Sequence, residues 1–322
     1  MSRDGAERSA AVMAADADNE IKAMELAAAL QVPFLGIRDA GPEGETCPGS
    51  GQEKTEPDCA ALLVMSSDGL ALEDGRIRIR GDFSALLPRI RPSLLRSELL
   101  VKASGINKKK EQPKDTGNGN AGAADARDDG QGTKRIFRAI DATAGLGEDA
   151  FLLAAAGFFV TMYEKDPMIA ALLRDALERA RKDERTAEAA SRMELVEGDS
   201  IRALQELASD RRSPAPSDDR TESVKGQAGD LGYIDVILLD PMFPERRKSA
   251  LVKKKFQLLH VLEKPCEDET GLLRAAMRAA PGRILVKRPV KGPFLAGVKP
   301  SFSLTGKAVR IDCLLPVYQE PE

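Results

Sequence analysis

The sequence predicts an α/β protein built on a doubly wound, Rossmann-like sheet, and three observations support this fold class. From residue 136 onward, short apolar segments typical of strands alternate with longer segments of helical periodicity. One of them, YIDVILL at 233–239, is apolar enough for a strand that is buried on both faces. Two glycines also separate the first predicted strand from the helix that follows it. Alternating strands and helices pack as a largely parallel sheet that helices cover on both faces.

The elements of this half follow one another without an internal repeat. Strands are predicted at 136–141, 159–163, 193–197, 233–239 and 283–286, and helices at 149–156, 167–182, 201–207 and around 251–261. Two further strands, 302–304 and 309–317, flank a Thr-Gly turn. This pattern predicts an antiparallel C-terminal hairpin that closes the sheet.

The preceding residues predict a small N-terminal α+β domain, 1–103. Residues 1–30 are rich in alanine and charged side chains, which favours a helix, and 32–37 has the pattern of a short strand. Between 61 and 83, Ser-Asp-Gly and Glu-Asp-Gly separate apolar runs, which is typical of an antiparallel meander. Arginines among leucines predict a basic amphipathic helix over 86–101.

Two segments are poor in apolar residues and predict flexible connections. Residues 104–133 contain three consecutive lysines and then GNGNAGAADARDDGQG, whereas 209–230 is rich in serine, proline and charge. Segments of this composition bury too little apolar surface to offset the entropy lost on ordering. We therefore predict a linker at 104–133 and an insertion at about 209–230 within a second domain, 134–322.

Composition argues against several classes of protein. The chain has four cysteines without a C-x-x-C pair and a single histidine, so we expect no metal site. No stretch approaches the roughly 20 apolar residues of a membrane-spanning helix, and residues 1–10 lack a signal-peptide core. We therefore expect a cytoplasmic protein. The net charge of −3 neither supports nor excludes a polyanionic partner, so this question depends on how charge is distributed along the chain.

The motif DATAGLGEDAF, which begins at Asp141, indicates a nucleotide-like ligand. A predicted strand ends at Asp141, and Ala144, Gly145 and Gly147 lead into a helix. Glycine lets the backbone approach a ligand closely, and the helix N-terminus then faces it. The motif also fits the dinucleotide fingerprint, and a plain strand-to-helix turn is the alternative.

Acidic residues follow the next two strands. Glu164 lies about 20 residues beyond the glycines, where an acid binds the ribose of NAD or of S-adenosylmethionine (SAM); a solvated loop acid is the alternative. Asp199 and Ser200 follow the third strand, at the edge where doubly wound sheets bind ligands. Asp199 can contact an adenine amino group or cap the next helix, and the two roles are compatible.

The segment LLDPMFP predicts a site for an exocyclic amine. Asp240 ends the fourth predicted strand, Pro241 makes the turn rigid, and Phe243 can stack on a base. An exocyclic amine is a poor nucleophile, so acceptors that hold its N–H groups beside a donor methyl favour attack. The alternative is an ordinary proline-rich turn with Phe243 in the core.

Two basic clusters follow strands at the same edge of the sheet. The first comprises Arg246, Arg247, Lys248, Lys253, Lys254 and Lys255, and the second comprises Lys287, Arg288, Lys291 and Lys299. Solvated helix faces are commonly charged, so neither cluster alone identifies a partner. Two clusters beside a base-stacking turn predict an RNA-binding edge.

Taken together, DATAGLGEDAF, YEKDP, DPMFPERRKSALVKKK and LVKRPVKGPFLAGVKPSFSLTGKAVRIDC resemble the RsmJ family, SAM-dependent methyltransferases that modify guanine N2 in 16S ribosomal RNA. The resemblance covers about 136–317, and its specific part is the DPMFP block. It implies a class I methyltransferase fold with SAM as cofactor. It also implies small-subunit ribosomal RNA, or the 30S particle, as partner.

The resemblance carries specific roles to this chain. It implies that Glu148 and Asp149 touch SAM, although the family commonly has Arg-Asp at these positions. It places Glu164 and Lys165 at the ribose, where the second residue of the family is often arginine. It places Asp199 and Ser200 near adenine, and Asp240 near the methyl group and the target amine.

Other functions remain open on the sequence alone. An NAD-linked oxidoreductase would use the same glycine loop but leaves LLDPMFP unexplained. A SAM-dependent enzyme acting on another RNA or DNA amino group would keep every motif. A non-catalytic RNA-binding module of the same fold would bind RNA through the basic clusters without transferring a methyl group.

Overall fold

The computed structural model describes residues 10–38, 61–73, 77–106, 136–210, 233–241, 266 and 268–316. These residues form two sheets, a five-stranded N-terminal one and a seven-stranded C-terminal one. The predicted linker and insertion lie outside the described residues, apart from their first residues. Residues 104–106 belong to the end of a helix and the turn after it, and 209–210 end another helix.

The N-terminal sheet has the strand order β2-β1-β3-β4-β5. Its elements are β1 (Ala10–Ala14), α1 (Glu20–Leu30), β2 (Phe34–Ile37), β3 (Ala61–Ser66), β4 (Gly69–Glu73) and β5 (Arg78–Ile79). Strands β3 to β5 form the predicted antiparallel meander, while β1 runs parallel to both β2 and β3. The N-terminal α+β arrangement is therefore confirmed.

The expected helix over residues 1–30 is wrong for its central part. Ala10–Ala14 is a strand between β2 and β3, and Ala11, Val12 and Ala14 are buried there. Pairing on both sides outweighs the preference of alanine for helices, which is a weak determinant of structure. The helix begins later, at Glu20.

The expected continuous helix over 86–101 is also wrong. The chain instead makes a 3-10 turn at Phe83–Leu86 and two short helices, α2 (Pro92–Leu95) and α3 (Leu99–Ser104). Proline lacks a backbone N–H and disfavours helical conformation in the residue before it. Pro88 and Pro92 therefore interrupt the apolar periodicity that predicted one helix.

The C-terminal sheet has the order β11-β12-β10-β9-β6-β7-β8, in which only β12 is antiparallel to its neighbours. Its strands are β6 (Phe137–Asp141), β7 (Phe158–Glu164), β8 (Met193–Glu197), β9 (Val236–Leu239), β10 (Arg283–Pro289), β11 (Phe302–Thr305) and β12 (Val309–Leu314). The predicted strands and closing hairpin are confirmed within a few residues. The Rossmann-like fold class is therefore confirmed.

Five described helices accompany this sheet: α4 (Glu148–Ala156), α5 (Pro167–Lys182), α6 (Ala187–Ala190), α7 (Ser200–Asp210) and α8 (Glu269–Arg278). Helices α4, α5 and α7 were predicted, whereas α6 and α8 were not. The helix predicted around 251–261 lies outside the described residues. No helix in the described ranges is long and apolar enough to cross a bilayer.

Alternate residues of the central strands contact different helix layers. Leu238 and Leu285 belong to the apolar cluster with α3, α4 and α5, whereas Ile237 and Ile284 belong to the cluster with α7 and α8. This alternation follows from the two-residue repeat of a strand. Helix α5 also packs against the N-terminal sheet through residues such as Leu172.

Candidate active site

Strands β6, β7 and β8 follow one another toward one edge of the sheet, whereas β9 lies on the other side of β6. The strand order therefore reverses between the adjacent strands β6 and β9. Doubly wound sheets bind ligands at such a switch point, beyond the carboxyl ends of the strands. The start of the loop after β6 is held against β9, because the Ala142 amide donates to the Leu238 carbonyl at 3.0 Å. The Asp240 amide also donates to Thr143 Oγ1 at 2.7 Å. Sequence reasoning missed Thr143, which couples the glycine loop to the Asp-Pro turn.

The glycine loop has backbone geometry that favours glycine. Gly145 and Gly147 have φ angles of 52° and 75°, in the left-handed region, and Gly147 precedes the first residue of α4. A Cβ built on Gly147 would lie 2.7 Å from Leu173 Cδ1 and 3.3 Å from Phe83 Cζ. The loop is therefore closely packed against Leu173 and Phe83, and Ala144 is buried within it.

Glu164 holds this loop in place. Its Oε2 accepts from the Gly145 amide at 3.0 Å, and its Oε1 accepts from the Asp166 amide at 2.9 Å. Burial raises the pKa of Glu164 above its usual value, although both amide hydrogen bonds oppose the shift. Each carboxylate oxygen can accept more than one hydrogen bond, so the group can also bind a ribose hydroxyl. Lys165 beside it is exposed.

Asp199 caps α7, as one of its two predicted roles requires. Its Oδ1 accepts from the Ile201 amide at 2.8 Å, and Ser200 is the first residue of the helix. The Asp199 side chain lies at the carboxyl end of β8 and is exposed. Its contact with adenine stays a prediction.

Lys287 bridges two carboxylates at the centre of the switch point. Its Nζ lies 2.5 Å from Asp149 Oδ2 and 2.9 Å from Asp240 Oδ2. Asp240 and Lys287 are adjacent because Leu239 and Val286, the residues before them, pair in the sheet. Only 28% of the Lys287 side chain is exposed. Burial opposes its charge, but the two carboxylates outweigh burial and raise the pKa of Lys287.

Two further carboxyl groups in this cluster have raised pKa values. Asp141 is 2% exposed, and burial, together with the charges of Asp149 and Asp240, raises its pKa to about 8. Its Oδ1 accepts from the Thr143 amide at 3.1 Å, which opposes the shift. Burial also raises the pKa of Asp240, while Lys287 lowers it. The site therefore has an excess of acidic groups over the single ammonium.

Lys287 and Arg288, two members of the second basic cluster, are largely buried, whereas Lys291 and Lys299 of the same cluster are exposed. Lys287 points to the carboxylates described above, and Arg288 has a fully buried side chain whose Nη2 lies 3.3 Å from Glu269 Oε1. Neither side chain is exposed in the way that the predicted RNA contacts require. Consecutive residues of β10 face opposite sides of the sheet, so one cation reaches α4 and the other reaches α8.

Several predicted site residues lie outside the described residues. These are Phe243, Arg246, Arg247, Lys248, Lys253, Lys254 and Lys255. Pro241 is described and buried. Glu148 is exposed in the first turn of α4, where an acid interacts favourably with the helix dipole.

Comparison with known proteins identifies the family. Residues 108–316, more than half of the chain, match a family model described as "Putative SAM-dependent methyltransferase". The chain belongs to this methyltransferase family. Membership overturns the NAD-linked alternative, because the cofactor of the family is SAM.

Curated relatives carry the name ribosomal RNA small subunit methyltransferase J. The protein from Pseudomonas aeruginosa strain LESB58 is 45% identical over 175 residues, which are 54% of this chain and 59% of that protein. The protein from Nitrosococcus oceani is 42% identical over 176 residues, 55% of this chain and 61% of that one. The matches thus span about three fifths of the relatives' length.

A solved structure extends the similarity to the N-terminal sheet. The crystal structure of a SAM-dependent methyltransferase from Neisseria gonorrhoeae has a TM-score of 0.61 and 25% identity to this chain. The match covers 96% of this chain and 97% of the other.

The residues at the switch point fit SAM. Its sulfonium and ammonium groups are cationic, and Asp141, Asp149 and Asp240 form an acidic cluster at that edge. Gly145 and Gly147 let the loop adopt its left-handed geometry at the start of α4, and Glu164 lies beside them. No group of three or more His, Cys, Asp or Glu in the described ranges could hold a metal ion.

Proposed function

We propose that the protein transfers a methyl group from SAM to the exocyclic N2 amine of a guanine in small-subunit ribosomal RNA. The observation that carries this proposal is the position of Asp240 at the switch point. Thr143 binds its backbone and Lys287 binds its carboxylate, so it is fixed beside the glycine loop. The names of the relatives support ribosomal RNA as the substrate.

In this mechanism Asp240 orients the nucleophile. Of its side chain, 38% is exposed, and a carboxylate that binds Lys287 through Oδ2 can still accept an N–H from the guanine amine. Buried Pro241 fixes the turn, so a backbone carbonyl can accept the second N–H. When bound, SAM supplies an electrophilic methyl group. Holding both N–H groups aligns the amine for attack, and Phe243 stacks on the guanine ring.

The remaining residues bind the substrates. Asp141, Ala144, Gly145, Gly147, Glu148, Asp149, Glu164, Lys165, Asp199 and Ser200 hold SAM. The cluster from Arg246 to Lys255 contacts the phosphates of ribosomal RNA or the 30S particle, because cations there release counterions on binding. The protein then acts in the cytoplasm, where ribosomal subunits are made.

A methyl-transfer assay tests this function. Purified protein is incubated with radiolabelled SAM and either protein-free small-subunit ribosomal RNA or 30S particles from cells that lack the enzyme. Nucleoside mass spectrometry of the product is expected to show N2-methylguanosine. Large-subunit RNA and DNA serve as control substrates. A methyl group on carbon or on a ribose oxygen, or transfer only to a control substrate, would contradict the proposal.

Replacing Lys287 by methionine is expected to lower the methyl-transfer rate at least about tenfold at neutral pH. Without the ammonium, the pKa of Asp240 rises further, because burial is no longer opposed. Since the carboxylate is the form that accepts the amine, activity is then lost at a higher pH than in the wild type as the pH falls. The pH–rate profile measures this shift. Lys287→Arg keeps a cation beside Asp240, so this variant is expected to retain most of the wild-type rate and pH dependence. An unshifted acid limb would disprove the role of Lys287.

A further inference from the structure

A second basic surface lies at the active edge of the sheet, on residues that precede the methyltransferase motifs. Helix α3 runs antiparallel to β10, because Arg283 at the start of β10 donates to the carbonyl of Ala103 at 2.8 Å. At its other end, Leu99 lies against Gly306 in the β11–β12 turn. Thus α2 and the start of α3 lie at the carboxyl edge of β10, where Lys287 and Asp240 also lie.

Arginines of this segment face the neighbourhood of α4. Arg89 Nε and Nη2 donate to Glu98 at 2.8 and 2.9 Å. Glu98 raises the pKa of Arg89, and the charges of Asp149 and Glu148 contribute to this rise. Helix α2, which follows Arg89, also contacts α4. Arg91 and Arg96, on either side of α2, are exposed.

Two lysines extend this surface along the same edge. Lys291 is exposed in the loop that follows β10, and Lys307 is exposed in the β11–β12 turn. That turn lies at the carboxyl edge because Val309, which follows it, pairs with Pro289 at the end of β10. We call Arg91, Arg96, Lys291 and Lys307 the basic rim.

The acidic residues near the rim are partly neutralised by other cations, and the four cations of the rim outnumber the negative charges that are left. Glu98 is bonded to Arg89, and Asp149 and Asp240 are bonded to Lys287. Glu148 is exposed on the same edge and partly offsets the positive charge. Among the described residues, the rim therefore presents a net excess of cations.

An aromatic ring stands at the same edge. The guanidinium of Arg310 lies 4.9 Å from the ring centroid of Phe294, and Arg310 also donates to the carbonyls of Val290 and Gly292. These contacts hold the loop after β10, yet 36% of Phe294 remains exposed. A ring held in this way is suited to stack a nucleic-acid base, since bases stack on aromatic side chains without strong sequence preference.

We propose that the basic rim and Phe294 form a docking surface for single-stranded RNA next to the methyl-transfer site. The rim binds phosphates that flank the target nucleotide, and Phe294 stacks a neighbouring base. Cations with an exposed aromatic ring favour single-stranded RNA over a folded protein or a membrane surface. The inference rests on the proposed function, because it assigns part of the RNA contact of that enzyme to residues outside the 246–255 cluster.

The rim is tested by RNA binding as a function of salt. The double variant Arg91→Ala/Arg96→Ala is compared with Lys182→Ala/Arg278→Ala, which removes the same charge at the opposite edge. Lys182 follows Arg181, whose guanidinium bonds the carbonyl at the start of β8, and Arg278 ends the helix that precedes β10. Binding to protein-free small-subunit ribosomal RNA is measured by fluorescence anisotropy at several KCl concentrations.

The rim variant is expected to reduce the slope of log Kobs against log salt by about 1.4, since each phosphate contact on a single strand contributes about 0.7. The control variant is expected to keep the wild-type slope. Phe294→Leu is expected to weaken binding about 5- to 150-fold with the slope unchanged, because it removes stacking but no charge. Calorimetric SAM affinity is expected to be the same in all variants.

The outcomes separate the docking surface from the proposed function. If the wild type methylates RNA while the rim variant keeps both its slope and its affinity, the docking surface is wrong and the function stands. If the wild type neither binds nor methylates RNA, both the docking surface and the proposed function are wrong. Equal losses in the rim variant and the opposite-edge control would also overturn the docking surface, because the effect would then reflect net charge alone.

Discussion

Asp240→Ala is expected to lower the methyl-transfer rate by a factor of about 100 to 1,000, the usual cost of removing one preorganised contact to a transition state. Asp240 is fixed by Thr143 through its backbone and by Lys287 through its carboxylate, so the contact is preorganised before the substrate binds. In the proposed mechanism, removing the carboxylate would leave the target amine without an oriented acceptor. Single-turnover rates with saturating SAM measure the loss.

Asp240→Asn distinguishes the loss of the acceptor from the loss of bulk. An amide has one acceptor oxygen, and its NH₂ would oppose the donors of the amine, so this variant is expected to be nearly as slow as the alanine. Both variants are expected to melt cooperatively, because Asp240 follows the last residue of β9 and its side chain does not lie in the apolar core. Wild-type turnover in Asp240→Ala would show that the Asp-Pro turn has another role.

Gly145→Val is expected to abolish SAM binding, which in the wild type should be micromolar, or roughly −8 kcal/mol. Gly145 has a φ of 52°, a conformation that costs a β-branched residue of order 1–3 kcal/mol, and its amide donates to Glu164. Isothermal titration with SAM measures the effect.

Gly36→Val is the matched control for backbone strain. Gly36 has a φ of 91° in the N-terminal sheet, and a Cβ built there meets no atom within 4 Å. This variant is therefore expected to lose some stability but to bind SAM with wild-type affinity. If Gly145→Val melts like the control and still binds SAM normally, the glycine loop is not the SAM site.

Local patterns predicted most of the C-terminal sheet. Helix α5 was predicted at its observed bounds from Pro167, which is favoured at a first helical turn. The structure adds a cap at Asp166, whose side chain accepts from the Met168 and Ile169 amides. Strand β8 was also predicted at its observed bounds. In such segments the caps and the apolar period agree with the tertiary contacts, so sequence reasoning succeeds.

The same reasoning failed where tertiary pairing opposed local preference. Ala10–Ala14 has a helix-favouring composition but pairs on both sides within a sheet, and those partners are distant in sequence. Over 86–101 the apolar spacing outweighed two prolines in the prediction, although proline geometry determines the structure there. No local pattern reports which strands are neighbours.

The sequence by itself determined the alternating fold, the glycine loop and Asp240 at the end of a central strand. Each of these features depends on the spacing of residues that are close together in the sequence, so it can be recognised without knowledge of the tertiary structure. The sequence predicted that Lys287 and Arg288 follow a strand, but both lie within β10, and only the tertiary structure decided what they contact. Because consecutive residues of a strand face opposite sides, Lys287 meets Asp149 and Asp240, whereas Arg288 meets Glu269 within the core. Which helix covers each face depends on packing between distant segments, and that packing turned two expected RNA contacts into internal ion pairs.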